Sequence, residues 1–177
     1  MTANILLAGF GGQGILFAGK FLAYKGLLED KHISWLPSYG PEMRGGTANC
    51  SVIISDDPIG SPIVSSPDIL VAMNLPSLDK YEKAVVPGGK IFVDSTLVGR
   101  AVARTDVESY CIPATQLAVD MGIPTLANMI MVGQLIRRTR AVSFEGLEAA
   151  LRKVVSAKHA DLLEVNLSAI RAGYDLA

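Results

Sequence analysis

Charge, cysteine and histidine are all scarce in this chain of 177 residues. Only 19% of residues are charged, and 16 Lys and Arg against 17 Asp and Glu leave a formal net charge of -1. That balance provides no basic face to displace counterions from phosphate, which argues against a nucleic-acid footprint. Two cysteines, Cys50 and Cys111, lie far apart and form no CxxC pair. They are too few for an iron–sulfur cluster or a zinc site, and they suit a reducing cytoplasm. His32 and His159 have no carboxylate at metal-ligand spacing, so both read as structural or exposed. The sequence contains neither a G-x-S-x-G elbow nor a G-x-x-x-x-G-K-[ST] phosphate loop. Long apolar runs are missing too: Ile5–Ala8 and Ile69–Met73 fall far short of the roughly 18 residues a membrane span needs. The start, Met1-Thr2-Ala3-Asn4, lacks the basic and apolar regions of a signal peptide.

Apolar residues are abundant, at 50% of the chain with a mean hydropathy of +0.36. Intrinsic disorder is excluded on that count. Two explanations fit the excess: some apolar surface faces another chain, or a parallel sheet is buried on both faces.

The order of patterns predicts one α/β domain over residues 1–177, an open and mostly parallel Rossmann-like sheet with flanking helices and a helical tail. Strands are expected at Asn4–Ala8, His32–Leu36, Ala48–Ser55, Ile69–Met73, Lys90–Asp94 and Ser109–Ile112. Helices are expected at Ile15–Leu28, Leu75–Val85, Thr115–Met121 and Leu126–Arg138. Two more follow in the tail, one capped by Ser143 with a Phe144, Leu147, Leu151, Val154 stripe, the other striped by Leu163, Leu167, Ile170 and Tyr174. Ile15–Leu28 is apolar on most of its circumference. Such a helix is buried on more than one side, the sheet being one and a partner subunit the expected other.

Gly9, Gly11 and Gly14 match GxGxxG between the first strand and the first helix. In that pattern the first glycine permits a tight turn, the second lets backbone approach a phosphate, and the third brings helix onto strand. A helix amino terminus favours an anion by roughly 0.3–1 kcal/mol. A dinucleotide site also needs a carboxylate after the second strand, and here that strand ends Trp35-Leu36-Pro37-Ser38; Glu29 and Asp30 fall too early. A self-sufficient NAD(P)-dependent dehydrogenase therefore loses most of its support, and a turn that binds nothing stays open. A second cluster, Ser38-Tyr39-Gly40-Pro41-Glu42-Met43-Arg44-Gly45-Gly46-Thr47, sets glycine and proline around a charged pair, giving a loop of defined shape. Arg44 offers a planar fork for phosphate or carboxylate, oriented by Glu42, or the two simply pair at the surface. This loop is expected to leave the strand edge beside the glycine turn. Asn128, opening an apolar helix, is either a helix cap or a ligand contact. Cys50 and Cys111 both read as core.

GFGGQG at Gly9–Gly14, SYGPEMRGGTAN at Ser38–Asn49, ANMIMVG at Ala127–Gly133 and NLSAIRAGY at Asn166–Tyr174 together resemble the gamma subunit of 2-oxoacid:ferredoxin oxidoreductases, over essentially the whole chain. The stand-alone form looks most like the 2-oxoglutarate or branched-chain (2-oxoisovalerate) type. The resemblance implies a cytoplasmic, oxygen-sensitive complex that converts a 2-oxoacid to acyl-CoA, with ferredoxin as electron acceptor. It also implies that thiamine diphosphate, magnesium and iron–sulfur clusters sit on partner subunits, so that this chain alone is inactive and holds no metal or catalytic residue. Carried onto this sequence, Gly9, Gly11, Gly12, Gln13 and Gly14, with Ser38, Tyr39, Arg44 and Asn128, form a coenzyme A site or a subunit junction. The small subunit of an indolepyruvate enzyme and a purely structural subunit are the alternatives.

Overall fold

The computed structural model describes residues 1–38 and 47–177. They form a six-stranded sheet: β1 (Thr2–Phe10), β2 (His32–Ser38), β3 (Thr47–Ser55), β4 (Ile69–Ala72), β5 (Lys90–Asp94) and β6 (Glu108–Ile112). The spatial order is β2-β3-β1-β4-β5-β6. β1, β4, β5 and β6 are parallel neighbours, while β3 runs antiparallel to both β1 and β2. The reversal at β3 follows from its connection. Residues 39–46 are too few for a crossover helix, so β3 can only return alongside β2. In β4, Ile69, Leu70, Val71 and Ala72 are all buried, the continuous apolar run of a strand covered on both faces.

Six helices follow the strands: α1 (Ile15–Leu27), α2 (Leu75–Tyr81), α3 (Ala114–Asp120), α4 (Ala127–Thr139), α5 (Leu147–Val154) and α6 (Asp161–Asp175). Five of them cover one face, packing around Ile5, Leu7, Val52, Ile54 and Phe92. α2 covers the other, where Leu78 meets Leu6, Leu70, Ile91 and Val93. Because α1 and α2 lie on opposite faces, the chain switches sides between β1 and β4. A crevice opens at that point in any doubly wound sheet.

Four expectations change. The second side of α1 is covered by α5 and α4 of the same chain, with Leu147, Ala150 and Leu151 in the shared core, and needs no partner subunit. Ser143 does not cap α5, which starts behind Gly146 at φ 71°. Its backbone N–H and its hydroxyl instead donate to Glu29 Oε1, each at 2.8 Å. Cys111 is exposed, because β6 is an edge strand with a single neighbour. The helix expected to run to Val85 ends at Tyr81 and continues as one 3-10 turn, Glu82–Ala84, ahead of Pro87. Among the described residues no helix is long and apolar enough to cross a membrane.

Candidate functional site

The site is built where β1 ends. Phe10 is the last residue of β1, α1 begins at Ile15, and the glycine turn lies between them. At the same end β4 gives way to Met73 and Asn74, and α4 begins beside Asn128. The strand register brings Thr47 opposite Phe10 and Ser38 opposite Asn49, so Thr47 and Ser38 lie at the same end of the sheet as the turn. Tyr39, Glu42 and Arg44 fall outside the described residues. Ser38 is exposed at the end of β2.

The glycines divide their roles differently from the GxGxxG pattern. Gly9 stays in the strand. A Cβ there would stand 2.6 Å from Gln13 Oε1 and 2.8 Å from Ile15 Cδ1, so Gly9 makes room rather than turning the chain. Gly12, which the pattern does not specify, supplies the turn at φ 90°. Gly14 adopts φ 73°, and a Cβ on it would meet Asn128 Nδ2 at 2.4 Å, so it packs against α4 rather than a strand.

Two amide side chains hold the turn. Gln13 Oε1 accepts the Phe10 N–H at 2.6 Å and the Asn74 Nδ2 at 3.4 Å, while its Nε2 donates to the Met73 carbonyl at 3.1 Å. Asn128 is not the cap of α4; it is the second residue of that helix and donates from Nδ2 to the Gly14 carbonyl at 3.0 Å. Its Oδ1 is buried and unpartnered. Asn74 was invisible as a site residue in the sequence, although Asn74-Leu75-Pro76-Ser77 carries a cap signature: its Oδ1 accepts the Ser77 N–H at 2.9 Å. Asp94, fully buried at the end of β5, accepts from Thr96 N (3.1 Å), Thr115 N (3.3 Å) and Thr115 Oγ1 (2.5 Å), fixing the start of α3.

Chemically the turn is suited to an anion. α1 has no side-chain cap and no acidic residue in its first turn, so among the described residues no side chain caps its free N–H groups. β2 itself ends Trp35-Leu36-Pro37-Ser38, with no carboxylate among the described residues at that end to hold a ribose. Cys50 is core: its Sγ donates to the Ile15 carbonyl at 3.5 Å, and burial pushes the thiol up to about 12. Among the described residues no group of three or more His, Cys, Asp or Glu could hold a metal ion.

These features define an α/β domain of the Rossmann-like class whose glycine turn opens α1 at the switch point of the sheet. The chain belongs to the pyruvate ferredoxin/flavodoxin oxidoreductase family, whose profile matches residues 4–176. It is 42% identical to the 2-oxoglutarate synthase subunit KorC of Methanocaldococcus jannaschii, covering 100% of this chain and 95% of that subunit. It is 39% identical to the ketoisovalerate oxidoreductase subunit VorA of Methanothermobacter thermautotrophicus, covering 98% of this chain and 36% of VorA. The chain thus spans about a third of VorA and nearly all of KorC. The gamma subunit of a keto/oxoacid ferredoxin oxidoreductase from Geobacter sulfurreducens has the same fold, at a TM-score of 0.84 and 30% identity over 98% of this chain and 96% of that one.

Proposed function

We propose that the chain is the gamma subunit of a multi-subunit 2-oxoacid:ferredoxin oxidoreductase that oxidatively decarboxylates 2-oxoglutarate or a branched-chain 2-oxoacid to its acyl-CoA, passing the electrons to ferredoxin. The observation that carries this is the end-to-end match with a KorC subunit, 100% of this chain against 95% of that one. Thiamine diphosphate with magnesium, which supplies the electron sink for decarboxylation, and the iron–sulfur clusters belong to partner subunits. The complex works in the cytoplasm, a reducing compartment that suits two unpaired cysteines.

Within that complex the glycine turn meets coenzyme A. The uncapped N–H groups at the start of α1 receive a phosphate, and we assign Ser38, Tyr39 and Arg44 to the same coenzyme A site on the chemistry of their side chains. The chain contributes binding and orientation, not a proton donor or nucleophile.

Anaerobic purification of the tagged chain from its own host tests the reading. Recovery with a thiamine diphosphate subunit and a cysteine-rich chain, in a fraction that forms acyl-CoA while reducing ferredoxin, is expected. A chain that elutes alone, without partners, overturns it.

A further inference from the structure

We propose that Gln13 is a positioning residue: its carboxamide closes the switch-point crevice between β1 and β4 from inside, so that the glycine turn offers only its outer side to a ligand. In doubly wound sheets a dinucleotide lies in that crevice. Here a side chain of the turn itself spans it. The three bonds of the carboxamide reach Phe10 at the end of β1 and Met73 and Asn74 just past β4. Among the described residues one backbone bond lies inside the turn, Gln13 N–H to the Phe10 carbonyl at 3.2 Å, a weak constraint on a segment with Gly12 at φ 90°. Glycine is conformationally free there, and the carboxamide supplies the missing restraint.

The chemistry of the site selects an amide. One end must accept from two N–H donors and the other must donate to a carbonyl, which Gln does and Glu or Met does not. Gly9 completes the arrangement, since a Cβ at that position would strike Gln13 Oε1 at 2.6 Å. Gln13 therefore acts on the ligand through the backbone N–H groups it holds in place. The functional part of this inference rests on coenzyme A binding at the turn.

Two variants test it, Gln13→Met, which removes every bond, and Gln13→Glu, which keeps the acceptors and loses the donor to Met73. Hydrogen exchange on the full chain reads the brace directly: in Gln13→Met the Phe10 amide exchanges roughly tenfold faster or more. In the reassembled complex the KM for CoA rises roughly tenfold, and the loss falls on that KM more than on kcat. Unchanged exchange at Phe10 overturns the positioning role, and a raised KM beside it identifies Gln13 as a direct ligand contact. Faster exchange with an unaltered KM for CoA supports the brace and overturns its action on coenzyme A at this turn. Should Gln13→Met fail to fold, the isosteric Gln13→Glu carries the kinetic arm, and a wild-type KM for CoA there overturns the proposal.

Discussion

Environment, more than residue type, sets what individual side chains do in this protein. The two cysteines show it. Cys50 lies under α1, where a Cβ on Gly19 would stand 2.3 Å from its sulfur, and its pKa is pushed to about 12. Cys111 is exposed on the edge strand. An alkylating reagent at neutral pH is expected to modify Cys111 and to leave Cys50 untouched until the chain unfolds, because only the thiolate reacts. Mass spectrometry of the labelled native chain checks this, and early modification of Cys50 contradicts the packing. Glu82 makes a second case. It is 6% exposed and accepts from Arg100 Nη2 at 2.7 Å and from the Ala103 N–H at 2.5 Å. Burial opposes its ionisation, but these bonds and the Arg100 charge outweigh it, and its pKa lies below the ordinary 4.5. The stabilisation is therefore complete above pH 4.5 and is lost as the pH falls through the lower folded value. Glu82→Gln should lower Tm at pH 7 by about 2–4 °C for each kcal/mol lost. The gap to wild type should narrow as the pH falls below 4.5, and a gap independent of pH counts against the charge as its cause.

At the scale of elements, the tightest fit is the crossing of α4 on α6. A Cβ on Gly133 would stand 2.1 Å from the Ile170 carbonyl oxygen, and one on Gly173 only 1.9 Å from that of Ile130. Both obstacles are helical backbone, which no side-chain rotation can clear. Gln134 bonds the Gly173 and Leu176 carbonyls at 2.7 and 3.0 Å across the same contact. Alanine would favour an isolated helix by about 1 kcal/mol over glycine, yet separating the helices costs more. Gly133→Ala is expected to lose about 3 kcal/mol in urea unfolding, whereas Gly60→Ala, with open space around it, should be close to neutral. Equal effects at the two positions would contradict the close approach.

For the whole molecule, the apolar excess is accounted for largely within the chain, by a sheet covered on both faces and by α1 lying between the sheet and the tail helices. Local patterns were sufficient for the element types, because strands such as Ile69–Ala72 and helices such as Ala127–Thr139 carry their own length and burial signals. The candidate site was legible in outline, because the glycine segment between the first strand and the first helix stands out in the sequence. What composition and spacing determine is thus the fold class, the turn and the family motifs. Tertiary structure alone decides that α5 covers α1, that Gly12 and not Gly9 makes the turn, and that Gln13, Asn74 and Asn128 meet around it. Those contacts join residues as far apart as Gly14 and Asn128, and no periodicity or propensity acts over such a separation; they exist only once the strands are in register.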